Sequence, residues 1–345
     1  MSADTPTPPR SPWQRLYAAG HRARARWFAR RAERLPVPVV SIGNLHWGGT
    51  GKTPITMAIA AHLVEQGRRV AILSRGYRSA GRGARFAGRG AGPGALWQEV
   101  GDEPALLAAA LPAVPVVVAP QRADAGRLAL AELAPPPELL LLDDGFSHLA
   151  LARDLDLLLL PSSDLFGKGR LAPTGRLREP LAASARAAAV LVTGRPTPED
   201  PKRVRQVLGR FGFAGESFAA PILAGTPVDE AGAAVAPGRR VFLVSAVARP
   251  GRFAEAAREA GLAVVGELRF RDHHAYPQRD LDRIQKRFGA SGADLVLTTA
   301  KDHVKLAGRL PVPMAVLPVE ARPEPAFWSW LDARVGQLLA GGGAR

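Results

Sequence analysis

A chain of 345 residues, 47 % hydrophobic and 22 % charged, has enough apolar mass for two ordinary domains, which excludes disorder as its main state. It contains no cysteine, so disulfides, thiolate metal sites, iron–sulfur clusters and a cysteine nucleophile are excluded as well. The formal net charge of +15 suits an anionic partner: nucleic acid, acidic lipid or a phosphorylated substrate.

Only six of the 46 basic residues are lysines, and with 36 Gly and 31 Pro part of the excess also reads as compositional bias. No apolar run reaches the ~20 residues of a membrane span, and the N-terminus has no signal-peptide core. A protein that is cytosolic or peripheral to a membrane is therefore expected. The first nine residues, rich in Pro and Thr, are expected to be disordered. Residues 1–34 carry eight arginines against Asp4 and Glu33, a net +6. From Trp13 to Arg34 no proline interrupts, and Trp13, Leu16, Tyr17, Trp27 and Phe28 are interleaved with the arginines. A basic amphipathic helix with aromatic anchors fits a membrane surface. A terminal helix packed on the domain and a nucleic-acid arm use the same ingredients.

The apolar run Val37–Ile42 then reads as a strand that opens into Gly43-Asn-Leu-His-Trp-Gly-Gly-Thr-Gly-Lys-Thr53, with a helix expected over Thr53–Gln66. Strand, glycine-rich loop, Lys-Thr and helix make a phosphate-binding loop. Its backbone N–H groups wrap a phosphate chain, the lysine reaches the outer phosphates and the hydroxyl ligates Mg²⁺. Gly48, Gly49, Thr50, Gly51, Lys52 and Thr53 supply those parts, although His46 stands where the consensus has glycine. The bland alternative is a glycine-rich turn beside a chance lysine.

Val70–Leu73 reads as a second strand leading to Ser74-Arg75-Gly76-Tyr77, and Ser79–Gly94, crowded with Gly and Arg, as a mobile loop. Gly101-Asp102-Glu103-Pro104 opens a helix over Glu103–Leu111, where Asp102 is a cap or a reactive carboxylate. Strand Val114–Ala119 and helix Arg122–Leu133 follow. The buried strand Leu139–Leu142 ends in Asp143-Asp144, the place where such an enzyme holds its metal ion. Strands Leu157–Leu160 and Val190–Thr193 complete a first series. A second, shorter one begins near Pro221, with strands Val241–Ser245, Ala263–Val265 and Leu295–Thr298 and helices Arg252–Ala260 and Gln278–Phe288. Between them lies Asp272-His273-His274. The fold class expected is α/β and P-loop NTPase-like: a mostly parallel sheet with helices on both faces, plus a smaller α/β domain. The boundaries expected are 1–34 for the basic helix, 35–218 for the P-loop domain and 219–345 for the smaller one.

The segments SIGNLHWGGTGKTP, AILSRGYRS, VGDEPALLA, LDDGFSHLALARDLDLLLL, GRLAPTGRLREP, FRDHHAY and TTAKDHVKL, in order from residue 41 to 306, resemble the tetraacyldisaccharide 4'-kinase family. The resemblance implies an ATP- and Mg²⁺-dependent kinase. It would phosphorylate the 4'-hydroxyl of a tetraacylated glucosamine disaccharide 1-phosphate, for lipid A, on the cytoplasmic face of the bacterial inner membrane. It implies Asp102 as the base with His273 as its partner, Lys52 at the transferring phosphoryl group, and Thr53, Asp143 and Asp144 at the metal. Asn44, Arg75, Arg122, Arg178 and His274 are implied near phosphates or sugar. Neither nucleic acid nor an obligate protein partner is implied.

Departures from the family pattern are Ser147 in place of Gln, Leu149-Ala150 in place of basic residues, Ala246–Pro250 in place of a glycine-bearing turn, and Ala300 in place of an acid. None removes a group that phosphoryl transfer needs. The competing readings are another P-loop small-molecule kinase, a nucleic-acid-stimulated ATPase and a nucleotide-switch GTPase. The last would need a guanine reader, for which Thr299-Ala-Lys-Asp302 has the letters in the wrong spacing.

Overall fold

The computed structural model describes residues 12–76 and 81–342. The Pro- and Thr-rich start, Arg10, and Tyr77, Ser79 and Ala80 lie outside them. In chain order the strands are β1 (Val39–Asn44), β2 (Val70–Ser74), β3 (Arg85–Arg89), β4 (Pro115–Val118), β5 (Leu139–Asp143), β6 (Leu155–Pro161) and β7 (Ala189–Gly194). They continue as β8 (Glu216–Ala224), β9 (Val228–Asp229), β10 (Arg240–Ser245), β11 (Ala263–Arg269), β12 (Leu295–Thr299), β13 (Met314–Leu317) and β14 (Val319–Ala321). The first five helices are α1 (Pro12–Ala29), α2 (Lys52–Glu65), α3 (Trp97–Val100), α4 (Asp102–Ala110) and α5 (Arg122–Glu132). The others are α6 (Asp200–Gly209), α7 (Pro250–Glu259), α8 (Gln278–Gly289), α9 (Ala300–Leu306) and α10 (Pro325–Gly342).

Two sheets result. The larger runs β14-β8-β7-β6-β1-β5-β2-β4-β3, parallel except at its two edges, where β3 and β14 are antiparallel. Its central strands are mostly Val, Ile and Leu and buried at every position because helices cover both faces, so no residue alternates toward water. That parallel order brings the carboxyl ends of β1 and β5 side by side, with Ile42 paired to Asp143. The smaller sheet runs β11-β10-β12-β13-β9, parallel except for β9.

The segment expected as a mobile loop forms the edge strand β3, bulged between Phe86 and Gly88. Its Arg-Phe-Ala-Gly-Arg sequence hides it, because an edge strand needs only one apolar side and here only the small Ala87 and Gly88 are buried. The course of the chain also differs from two consecutive units. β8 extends to Ala224 in the larger sheet, β9 to β13 make the smaller one, and β14 and α10 return to the larger. Phe327, Leu331 and Val335 of α10 sit in the same core as Ile55, Ile59 and Leu63 of α2, and His62 stacks on Trp328 at 4.4 Å. Burying that aromatic face draws the last helix back. Phe327→Ala is expected to cost about 3–5 kcal/mol. A calorimetric melting profile equal to the parent's would show that α10 is not part of this core.

Helix α1 has two unlike faces. Gln14 and Ala18 are buried, Gln14 Nε2 donates to Thr174 Oγ1 (3.2 Å) and Tyr17 Oη donates to the Arg178 carbonyl (3.1 Å). Trp13, Leu16 and Trp27 on the other side are each more than half exposed.

Candidate active site

The loop between β1 and α2 is shaped by the contacts of its own residues. Gly48 (φ 100°) and Gly51 (φ 83°) take left-handed conformations that L side chains disfavour, so the chain can turn its N–H groups inward. Asn44 Nδ2 donates to Thr50 Oγ1 (2.5 Å), and Thr193 Oγ1 on β7 donates to the Thr50 carbonyl (2.7 Å). A Cβ on Gly43 would meet the Phe146 backbone nitrogen at 2.6 Å, so only glycine lets the two loops touch. His46, the departure from the consensus, is buried, and burial pushes its imidazole pKa down. Next to it Trp47 N donates to the Arg176 carbonyl at 2.8 Å. The loop is thus tied to the 171–178 segment through its backbone. Lys52 begins α2, whose first turn holds no acid, leaving the positive helix end facing the loop.

Asp143 and Asp144 end β5 in unequal environments. Asp143 is buried, accepts a hydrogen bond from Thr56 Oγ1 (3.1 Å), and is pushed up to about 7 by burial, Glu103 and Asp144. Asp144 takes φ 49°, which directs it at Lys52 (3.8 Å) and Arg178 (3.1 Å). Burial alone would raise it, but those two cations outweigh burial and hold it below the usual carboxylate range. Arg178 also reaches Asn44 Oδ1 (3.2 Å). Arg122 is 3 % exposed, and burial brings its guanidinium down to about 10 despite the pull of Asp144 and Asp143. Its Nε has no partner among the described residues. Arg75, exposed at the end of β2, adds repulsion there and at His148.

A second group faces this one. Asp102 opens α4; its Oδ2 lies 2.8 Å from His273 Nδ1, and its Oδ1 accepts from Glu103 N (3.0 Å). Burial would raise Asp102, but the His273 hydrogen bond and Lys301 outweigh it and hold it low. His274 turns the other way, pairing with Asp280 (2.7 Å) and stacking on Phe270 at 4.8 Å. The two groups adjoin, since Glu103, next to Asp102, is close enough to raise Asp143.

The structure therefore gathers Asn44, Thr50, Lys52, Asp144 and Arg178 into one network and Asp102 with His273 into another, and gives His274 a partner on the smaller unit. Sequence reasoning assigned nothing to His148, Lys301 or Lys305, although each lies in a segment that carries the family resemblance. Burial and the arginines 122, 153, 24 and 75 push His148 down to about 4. Asp302 is fully buried and bonds Ala246 N (2.8 Å) and Thr299 Oγ1 (2.8 Å), so Thr299-Ala-Lys-Asp302 caps a helix and cannot read a guanine. Ser147, where the family has Gln, donates to buried Glu179, which also pairs with Arg186 (2.9 Å).

With the geometry in view, comparison with known proteins is direct. The profile of the family described as tetraacyldisaccharide-1-P 4'-kinase matches residues 10–336. A protein of Anaeromyxobacter dehalogenans (strain 2CP-C) named tetraacyldisaccharide 4'-kinase is 45 % identical over 282 residues, 80 % of this chain and 74 % of that one. One of the same name from Chromobacterium violaceum is 39 % identical over 331 residues, 93 % and 90 % of the two chains. Among solved structures, LpxK from Aquifex aeolicus in complex with ATP matches with TM-score 0.75 at 31 % identity, covering 95 % of this chain and 98 % of that one.

Proposed function

The chain belongs to the tetraacyldisaccharide-1-P 4'-kinase family, and we propose that it transfers the γ-phosphoryl group of ATP to the 4'-hydroxyl of a tetraacylated glucosamine disaccharide 1-phosphate. The observation that carries this reading is the meeting of two groups at one sheet edge. A phosphate loop with Lys52 stands on one side, and a carboxylate held by an imidazole, Asp102 with His273 (2.8 Å), stands on the other. The first holds a triphosphate; the second accepts a hydroxyl proton. Loop N–H groups and the start of α2 bind the phosphates, Lys52 follows the charge of the transferring group, and Arg122 and Arg178 supply further cations to the phosphates or sugar. Arg75 adds another from the mouth of the site.

Mg²⁺ fits the side chains present. Asp143 is a buried carboxylate pushed up to about 7 whose one hydrogen-bond partner among the described residues is the Thr56 hydroxyl, and the carboxylates beside it, Asp144 and Glu103, offer hard oxygens. Thr53, Asp143 and Asp144 would hold it, and it would neutralise charge on the β- and γ-phosphates.

Among the described residues no helix is long and apolar enough to cross a membrane. The exposed Trp13, Leu16 and Trp27, set among arginines on the face of α1 turned from the domain, suit contact with the cytoplasmic surface of the inner membrane, where the lipid acceptor resides. Replacing these three with serine is expected to cut co-sedimentation with anionic vesicles about tenfold or more. Packing through Gln14 and Tyr17, and hence ATP binding, would be untouched. Equal pelleting of variant and parent would make α1 a purely structural helix.

The reaction itself is tested by mass spectrometry of a tetraacyl disaccharide 1-phosphate incubated with the protein, ATP and Mg²⁺. A gain of one phosphate on the acceptor is the expected result; ATP consumption with an unmodified acceptor would overturn it.

A further inference from the structure

Trp47 has no part in the reading above, yet it stands at the lip of the phosphate loop. It is 55 % exposed, whereas Leu45, the other large apolar side chain of the loop, is fully buried. Its backbone is fixed, since Trp47 N donates to the Arg176 carbonyl (2.8 Å) and the preceding His46 bridges to Leu177. The Arg178 guanidinium lies 5.9 Å from the centre of the indole ring. That guanidinium in turn donates to Asn44 Oδ1 (3.2 Å) and Asp144 Oδ1 (3.1 Å). We propose that Trp47 binds the acceptor by stacking its indole on the sugar ring that carries the 4'-hydroxyl, and so helps to set which acceptors the site takes.

Given the kinase reading, on which this assignment rests, the acceptor oxygen has to reach the γ-phosphorus. The residues from Gly48 to Thr53 wrap the phosphates. The pyranose bearing that oxygen therefore comes down at the mouth of the loop, where Trp47 stands directly before Gly48. A pyranose carries hydroxyls around its edge and C–H groups on its faces. The faces pack on an aromatic ring, whereas the hydroxyls need donors and acceptors. Trp47 offers the ring, and Arg178 with Asn44 offers the polar groups beside it. Covering an exposed indole on a rigid loop removes apolar surface from water and orders few side-chain torsions.

The seat of α1 points the same way. Tyr17 Oη donates to the Arg178 carbonyl (3.1 Å) and Gln14 Nε2 to Thr174 Oγ1 (3.2 Å), so the start of α1 flanks the 171–178 segment as well. Trp13 adjoins Tyr17, with 6.3 Å between ring centres. One short segment thus touches both the helix that carries the exposed Trp13 and Leu16 and the loop that carries Trp47. Acyl chains held in the bilayer beside Trp13 and Leu16 would leave the disaccharide to cross that segment and meet the indole. Trp13 and Leu16 then serve the membrane, and Trp47 serves the sugar.

Kinetics and a direct probe of the ring test this assignment. With the acceptor in mixed micelles, Trp47→Ala is expected to raise KM for the acceptor about tenfold. KM for ATP should stay near the parent's, and little of the loss should fall on kcat, because stacking serves ground state and transition state alike. Trp47→Tyr keeps a flat ring and should recover most of the loss; Trp47→Leu, apolar without one, should not. The contact itself is read by ¹⁹F NMR of the protein labelled with 5-fluorotryptophan, with the Trp47 signal identified by its loss in Trp47→Tyr. That signal is expected to shift when tetraacyl disaccharide 1-phosphate is added to detergent micelles. It should stay in place with an equal amount of phosphatidylglycerol, an anionic lipid whose headgroup has no sugar ring. A signal that shifts equally with both lipids would make Trp47 a membrane anchor and overturn the proposal. So would a signal that shifts with neither, even if Trp47→Ala does not fold, or an acceptor KM in Trp47→Ala equal to the parent's. A shift specific to the acceptor, in a protein that adds no phosphate to it, would sink the kinase reading and leave the sugar contact standing.

Discussion

Lys52→Ala will abolish phosphoryl transfer and leave the fold intact. Lys52 Nζ lies 3.8 Å from Asp144 at the first residue of α2, so it stands where the phosphate chain meets the helix end. In the proposed reaction its charge would follow the γ-phosphoryl group as that group leaves ADP, a preorganised stabilisation worth ~3 kcal/mol or more, or at least about a hundredfold in kcat. The side chain is partly exposed and belongs to none of the apolar clusters, so circular dichroism and melting should match the parent. Thr53→Ala and Asp143→Asn should be impaired differently, with activity partly restored by raised Mg²⁺, because the proposed site has both act on the ion and not on the phosphoryl group. Wild-type turnover by Lys52→Ala would remove the phosphate-loop assignment. Loss of activity in the Asp143 and Thr53 variants that no Mg²⁺ concentration relieves would remove the metal assignment.

Parts of this molecule were legible in the sequence because their signals are local. The runs Val39–Ile42 and Leu139–Leu142 must be buried on both faces, and a glycine-rich loop before Lys-Thr has few uses other than a phosphate. What was not legible depends on distant partners. Edge strand β3 carries no apolar run and exists because β4 offers it a ladder. The return of β14 and α10 to the larger sheet is set by an aromatic cluster in which Phe218 meets Phe327 and Trp330, more than a hundred positions further along the chain. His46 looked like a defect in the loop, but burial gives it a place and the neighbouring Arg176 carbonyl secures the chain. Lys301 and Lys305 carry no signal in the sequence that sets them apart. Their proximity to Asp102 appears only when α9 is laid against α4, which no spacing rule foretells.

The pairing of Asp102 with His273 leads to the most demanding expectation. A sugar hydroxyl is a poor nucleophile unless its proton leaves as the new bond forms, and a positioned base supplies about 10²–10⁴-fold. Asp102 suits that part because two lysines and an imidazole hold it ionised despite its burial. Asp102→Ala should therefore reduce kcat by about that factor and leave the affinity for ATP nearly unchanged, since the carboxylate touches no part of the phosphate loop. His273→Ala should cost less, because Asp102 remains in place and still has Lys301 and Lys305 beside it. The double variant should fall little below Asp102→Ala alone, as the imidazole acts through the carboxylate and has nothing left to orient. His274→Ala provides the internal comparison. Its ring is engaged with Asp280 and Phe270, so its loss should register in thermal stability more than in rate. Multiplying losses in the double variant, or a larger rate defect from His274→Ala than from His273→Ala, would show that the pair does not work as a unit.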